Sequence, residues 1–117
     1  MVLILGGMAA GKRTYAREAL GYSDADMADA VLDGRPVIYN VQNLVGRDPE
    51  RSMALLDALA KKEAVICNEV GGGIIPMSPE GRAAREATGR LCIELAKRAN
   101  KVVRLVCGIP TILKEER

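Results

Sequence analysis

A glycine-rich segment near the start of the chain has the composition and spacing that phosphate binding requires. Gly6, Gly11 and Lys12 fit the pattern G-x-x-x-x-G-K and follow directly after an apolar run. Glycines let backbone N–H groups turn inward around phosphate oxygens, and a lysine ammonium is a point charge for the β- and γ-phosphates. The pattern predicts a phosphate-binding loop for a nucleoside triphosphate, either ATP or GTP. Its residues are Gly6, Gly7, Met8, Ala9, Ala10, Gly11, Lys12, Arg13 and Thr14.

The residue after Lys12 departs from this pattern. Loops of this kind place Ser or Thr there, because the hydroxyl ligates Mg²⁺. Arg13 stands at that position, and Thr14 follows one residue later, turned by about 100° around a helix. We expect Thr14 to miss a metal ion, so a role for Mg²⁺ is in doubt and no residue is assigned to a metal site. Arg13 either contacts a phosphate without Mg²⁺ or points to solvent.

Two further candidates stand at the ends of predicted strands. Proteins with such loops usually place an acid at the end of a strand near the first, to hold the metal or orient water. Asn40 holds that position here, and its amide brings no charge to balance Mg²⁺. Glu69 is the remaining acid at the carboxyl edge of the sheet, where ligands of open α/β sheets bind. Glu69 serves either as a metal ligand or base, or as a structural partner of a helix cap or loop.

The elements that must position these residues alternate between strand and helix. Short apolar runs predict buried strands, and two segments with Pro and Glu after an Asp or Ser are typical helix starts. The predicted strands are Val2–Leu5, Val37–Val41, Ala64–Cys67 and Val102–Cys107; the predicted helices span Gly11–Leu20 and begin at Asp48 and Ser78, and Tyr22–Arg35 is either a short helix or a loop. The alternation predicts an α/β, P-loop NTPase-like three-layer fold with a small, mostly parallel sheet, in one domain over residues 1–117.

The composition excludes several kinds of chemistry. The chain has no His, so it has no His base, ligand or nucleophile, and its net charge of +2 excludes a strongly basic nucleic-acid module. No apolar run approaches the ~20 residues that span a bilayer, and no secretory segment is recognised. Cys67, Cys92 and Cys107 lack metal-ligand or redox spacing, so we expect small buried apolar side chains, reduced in a cytoplasmic protein.

The second half of the chain resembles a known family in several motifs. The segment Asn68–Pro76, N-E-V-G-G-G-I-I-P, is similar to the N-E-V-G-x-G-I-V-P segment of the adenosylcobinamide kinase / adenosylcobinamide-phosphate guanylyltransferase family of cobalamin biosynthesis. The other motif positions are Arg82 and Arg85 (R-x-x-R), Gly89 and Arg90 (G-R), and Gly108, Ile109, Pro110, Leu113 and Lys114 (G-I-P-x-x-L-K). The resemblance is strong over residues 66–114, moderate over 1–20 and weak over 37–60.

The resemblance implies a P-loop α/β fold, a corrinoid partner and two reactions. One phosphorylates the aminopropanol hydroxyl of adenosylcobinamide from a nucleoside triphosphate, and the other transfers GMP from GTP to that phosphate through a guanylyl-histidine. It also implies a homo-oligomer, often a trimer. The chain is shorter than the usual member and has no His, so the second reaction is not available by that mechanism. Asn40 replaces the family's acid, Arg13 its hydroxyl, and Cys92 an Asn of the long helix.

Two hypotheses follow from the residues and the resemblance. In the first, the chain is a reduced kinase in which Lys12 holds the triphosphate, Glu69 is metal ligand or base, and Arg85 neutralises developing charge. Asn68, Arg82 and Arg90 are further candidates for phosphate or substrate contacts, and two of the three arginines are expected on a solvated helix face. In the second, the chain is an inactive nucleotide- or corrinoid-binding pseudoenzyme with a regulatory or scaffolding role, because the glycines and Lys12 remain while the hydroxyl and the acid are lost.

Overall fold

The computed structural model describes residues 1–69 and 78–116, which form an α/β fold around a six-stranded sheet. The strands are Val2–Gly6 (β1), Met27–Asp29 (β2), Val37–Tyr39 (β3), Ala64–Asn68 (β4), Lys101–Val106 (β5) and Ile109–Glu115 (β6). They lie in the order β2-β3-β4-β1-β5-β6. Strands β1 to β5 pair in parallel and β6 runs antiparallel beside β5, which confirms the prediction of a small, mostly parallel sheet.

Helices cover both faces of this sheet. They are Lys12–Glu18 (α1), Val41–Arg47 (α2), Leu56–Ala60 (α3) and Pro79–Arg98 (α4). Successive strand residues point to opposite faces, so Leu3 and Ile4 of β1 are buried in different cores. The core around Leu3 contains side chains of α2, α3 and α4, and the core around Ile4 contains Ala16 of α1. The architecture therefore has the three layers that the sequence predicts.

The sequence predicts four strands and misses β2 and β6. Strand β2 has three residues and follows a 3-10 turn at Asp24–Asp26, inside the segment expected as a short helix or loop. Strand β6 contains Pro110, a residue that argues against a strand in the middle of a sheet but is tolerated at its edge. Since β6 is the last strand in the order, this edge position explains the difference.

The chain also turns from strand to helix earlier than predicted, at Asn40. Val41 is predicted to end a strand, but it begins α2. Asn40 has φ 55° and ψ 40°, the left-handed conformation that Asn adopts more readily than most residues. The helix predicted from Asp48 begins as a 3-10 helix, Pro49–Leu55, and continues as α3.

The long helix is confirmed and anchors one face of the fold. The Gly81 N–H donates to Ser78 Oγ at 3.0 Å, and Pro79 is the first helical residue. Leu91 and Leu95 are fully buried on the predicted apolar stripe. Helix α1 is shorter than predicted, since it ends at Glu18.

The expectation that all three cysteines are buried is wrong for one of them. Cys67 is buried and Cys92 is partly buried, but Cys107 is exposed. Strand β5 ends at Val106, and Cys107 and Gly108 have φ angles of 51° and 76° in the turn to β6. This backbone matches a tight hairpin turn, which points the thiol away from the core.

Candidate functional site: a phosphate loop at the carboxyl edge of the sheet

The predicted phosphate loop joins β1 to α1 at the carboxyl edge of the sheet. Ala9 and Gly11 have φ angles of 58° and 92°, so two of the three residues 9–11 have the left-handed backbone conformation. The Ala10 N–H donates to the Gly7 carbonyl at 3.2 Å, and the Ala10 carbonyl accepts from the Gly108 N–H at 3.0 Å. The second of these hydrogen bonds ties the loop to the turn between β5 and β6.

Lys12 is the first residue of α1, directly after Gly11 of the loop. Its side chain is largely buried, at 9 % exposure, and its Nζ donates to the Gly7 carbonyl at 2.5 Å. Burial lowers the pKa of Lys12 below its ordinary value of 10.5, partly opposed by the negative charges of Cys67 and Glu69 when these are ionised. Within the described residues, the Lys12 ammonium donates one hydrogen bond, to a carbonyl, and a phosphate oxygen can replace that acceptor.

A cavity of about 530 Å³ opens beside the loop. Its lining includes every predicted nucleotide-binding residue except Gly6 and Gly7, together with two of the other predicted site residues, Asn40 and Asn68. The full lining is Met8, Ala9, Ala10, Gly11, Lys12, Arg13, Thr14, Tyr39, Asn40, Gln42, Asn43, Ile66 and Asn68. The volume is in the range of small-molecule sites.

Amide side chains form another part of the cavity lining. Asn40 Nδ2 donates to Asp29 Oδ1 at 2.9 Å, and Asn40 Oδ1 accepts from Gln42 Nε2 at 3.3 Å. Gln42 Oε1 in turn accepts from the Asn68 backbone N–H at 3.0 Å. This chain of hydrogen bonds runs across the ends of β2, β3 and β4. The sequence does not predict that Asp29 or Gln42 lies beside Asn40, because neither the short strand nor the helix that carries them is predicted.

Arg13 lies against an aromatic ring. Its guanidinium carbon is 4.1 Å from the centre of the Tyr39 ring, and its Nη2 is 3.5 Å from Asp24 Oδ1. Arg13 Nε is buried and has no hydrogen-bond partner among the described residues. Thr14 is exposed, and its hydroxyl accepts from Arg17 Nη2 at 3.3 Å. The side chain of Arg13 is therefore held on the cavity wall, and Tyr39 is a site residue that sequence analysis misses.

Glu69 follows β4 and is paired with an arginine. Its Oε1 lies 2.6 Å from Arg104 Nε, and its Oε2 accepts from Arg104 Nη2 at 3.2 Å. Its backbone N–H donates to the Gly6 carbonyl at 2.8 Å, which fixes it beside the start of the loop. The Arg104 partner on β5 is not predicted from the sequence. Glu69 is not among the cavity-lining residues in the described part of the chain.

The three candidate arginines lie on α4, outside the cavity lining given by the described residues. Arg90 Nη1 is 2.8 Å from Glu86 Oε1, one helical turn away, and both side chains are mostly exposed. Arg82 is exposed and Arg85 is partly buried. Arg90 thus lies on a solvated helix face. Residues 70–77, which carry most of the N-E-V-G-G-G-I-I-P motif, lie outside the described residues.

Among the described residues, the oxygen donors of the cavity lining come from amide and hydroxyl side chains. Mg²⁺ prefers carboxylate and other oxygen ligands. The described cavity-lining residues include two cations, Lys12 and Arg13, and no carboxylate. Within residues 1–69 and 78–116, no group of three His, Cys, Asp or Glu side chains could hold a metal ion.

The sheet order, the three layers and the loop after the first strand define a P-loop NTPase-like α/β protein. The family model for cobinamide kinase / cobinamide phosphate guanyltransferase matches residues 35–113, and because this is more than half of the 117-residue chain, the protein belongs to that family. Its function is thus related to cobalamin biosynthesis and nucleotide-dependent group transfer. The match contains Asn40, Asn68 and Glu69 but begins after the predicted phosphate loop.

A comparison with curated proteins finds no match. Among the helices of the described part, none has the length and apolarity needed to cross a membrane.

Proposed function

We propose that the protein binds ATP or GTP at the loop Gly6–Thr14 and phosphorylates the aminopropanol hydroxyl of adenosylcobinamide. The observation that carries this proposal is the cavity of about 530 Å³ that brings Lys12 and the loop together with Asn40 and Asn68 of the family-matched segment. The guanylyl-transfer step is lost, because the chain has no His to carry the nucleotide. The protein is then a kinase that performs one of the two reactions in the family's description.

Phosphoryl transfer at this site depends on positioning and charge neutralisation. The acceptor oxygen forms a bond to the γ-phosphorus while the bond to the β–γ bridging oxygen breaks, and the nucleoside diphosphate leaves with that electron pair. Lys12 stabilises the negative charge on the phosphates. Glu69 lies outside the described cavity lining and accepts the hydroxyl proton after its ion pair with Arg104 opens. Arg85 lies on α4, outside the described cavity lining. It therefore neutralises negative charge only on a part of the substrates that extends beyond the cavity.

The decisive experiment is calorimetric titration with ATP and GTP, each with Mg²⁺ and with a chelator, followed by a transfer assay with adenosylcobinamide. We expect saturable binding that persists in the chelator, because the cavity lining supplies cations and no carboxylate for a metal. Formation of adenosylcobinamide phosphate supports the kinase. Absence of binding to both nucleotides under all conditions contradicts the proposal.

The second candidate is a pseudoenzyme that binds a nucleotide or a corrinoid without transfer. It is favoured by one observation: the acids at the carboxyl edge are engaged elsewhere, Asp29 with Asn40 and Glu69 with Arg104. Nucleotide binding without any phosphoryl transfer to adenosylcobinamide or water would identify this function. The same titration and assay therefore separate the two candidates.

We also propose that the protein is a homo-oligomer that associates through β6. This strand lies at the edge of the sheet and exposes Ile109, Ile112 and Leu113 by 68 %, 43 % and 57 %. Light scattering is expected to give at least twice the 12.5 kDa chain mass, and Leu113→Glu is expected to reduce it. Met53→Glu is the control, because Met53 is a similarly exposed apolar residue on the 3-10 helix Pro49–Leu55 and not on β6. A monomer at tens of micromolar contradicts the proposal.

A further inference from the structure

Arg13 occupies an unusual environment for an arginine at the start of a helix. The Tyr39 ring covers one face of its guanidinium at 4.1 Å, within the range of a cation–π interaction. Its Nε is buried without a hydrogen-bond partner among the described residues.

The acid beside Arg13 is already bound by another residue. Asp24 Oδ1 is 2.8 Å from Arg17 Nη1 but 3.5 Å from Arg13 Nη2. The three side chains are partly exposed, and ion pairs between such side chains contribute little to the stability of the fold. Asp24 therefore keeps its stronger partner, Arg17, when a ligand accepts from Nη2 of Arg13, so this donor is available at low cost.

The charge of the described cavity lining is consistent with phosphate binding by Arg13. Lys12 and Arg13 are its two ionised side chains, both cationic, within the described lining. A condensed phosphate chain is the polyanion that two neighbouring cations neutralise, and a guanidinium presents paired N–H donors to phosphate oxygens. Here Arg13 stands at the position where the loop pattern places the hydroxyl ligand of Mg²⁺.

We propose that Arg13, held in place by the Tyr39 ring, binds the phosphate chain of the nucleotide directly, and that the site takes the metal-free form of that chain. Tyr39 is a positioning residue, since it acts through Arg13. This inference rests on the proposed nucleotide binding at the loop and adds which ionic form binds. In this site the guanidinium of Arg13 takes the place of a bound Mg²⁺ ion.

The test is calorimetric titration of the intact protein with ATP and with inorganic tripolyphosphate, in EDTA and in Mg²⁺. Wild type is expected to bind both ligands in EDTA at least as tightly as in Mg²⁺. Arg13→Gln is expected to bind about 10-fold more weakly in EDTA, the loss of one charge-assisted hydrogen bond. Arg13→Ser, which returns the hydroxyl, is expected to bind more tightly in Mg²⁺ than in EDTA.

Two substitutions of Tyr39 test the positioning role. Tyr39→Leu keeps apolar volume but removes the aromatic face, and it is expected to weaken binding in EDTA by about 3- to 10-fold. Tyr39→Phe keeps the ring and is expected to lose much less. In an Arg13→Gln background the two substitutions are expected to have equal effects, which a general structural role of Tyr39 does not predict. Thermal unfolding of each variant shows that it is folded.

The outcomes separate this inference from the proposed function. Wild-type binding that disappears in EDTA overturns the proposal that Arg13 binds a metal-free phosphate chain, but it leaves nucleotide binding at the loop in place. Equal losses in Tyr39→Phe and Tyr39→Leu overturn the positioning role. Absence of binding to both ligands under every condition removes the inference and the proposed function together.

Discussion

Lys12→Met is expected to weaken ATP or GTP binding by about 100-fold, because a charge-assisted hydrogen bond to phosphate contributes up to about 3 kcal/mol. Methionine keeps most of the apolar stem and removes the ammonium, so the packing of this buried side chain is largely preserved. The measurement is calorimetric titration at constant ionic strength. Affinity within a factor of about 3 of wild type would show that the loop does not bind the phosphates through this lysine.

Lys97→Met is the matched control for this substitution. Lys97 lies on α4, is mostly exposed and pairs with Glu94 at 3.1 Å. Its replacement changes the net charge by the same amount, so unchanged affinity in Lys97→Met shows that the effect of Lys12→Met is local.

The same lysine sets the direction of the pH dependence. Burial lowers the pKa of Lys12 from 10.5, so the free protein loses this charge at a lower pH than an exposed lysine does. Bound phosphate favours the ammonium and raises the pKa again. Affinity is therefore expected to fall as the pH rises through the lowered pKa, with proton uptake on binding in that range. Titrations in buffers of different ionisation enthalpy measure the uptake, and Lys12→Met is expected to abolish it.

Local patterns in the sequence predict the parts of the fold that depend on local packing. The apolar runs at β1, β4 and β5 and the stripe Leu91 and Leu95 on α4 are buried as expected. Strand β2 is too short for a pattern, and β6 is exposed along most of its length, so neither shows an apolar run or alternation. The reversal at Asn40 lies inside an apolar run, which hides the boundary between β3 and α2.

The candidate site also combines residues that local sequence patterns predict with residues that they do not. Motif spacing predicts the loop and Lys12, because those residues are consecutive in sequence. The partners Tyr39 and Arg104 come from other strands, and they meet Arg13 and Glu69 only through the sheet order. Arg104 lies on β5 and Glu69 follows β4, so their ion pair reaches across β1. Single-sequence spacing contains no signal for contacts of this kind.

Gly6→Ala is expected to destabilise the protein by about 1–3 kcal/mol, the usual cost of inserting a methyl group into a well-packed interior. A Cβ at this position would lie 2.8 Å from the Leu105 carbonyl oxygen and 3.2 Å from Ala10 Cβ. The first contact is with backbone of the paired strand β5, which cannot turn aside as a side chain can. This glycine is therefore needed for close approach of β1 and β5 as well as for the loop that follows it.

Gly46→Ala is the control with the opposite expected sign. Gly46 lies exposed in α2, and a Cβ there meets nothing within 4 Å. Alanine favours helix over glycine by about 0.5–1 kcal/mol, so this substitution is expected to stabilise. Chemical denaturation measures both variants. A Gly6→Ala protein as stable as wild type would contradict this prediction, because it would show that β1 and β5 can separate at this point. Such a separation would hold the loop that begins at Gly6 less rigidly against the sheet. Nucleotide affinity would then fall in Gly6→Ala but not in Gly46→Ala.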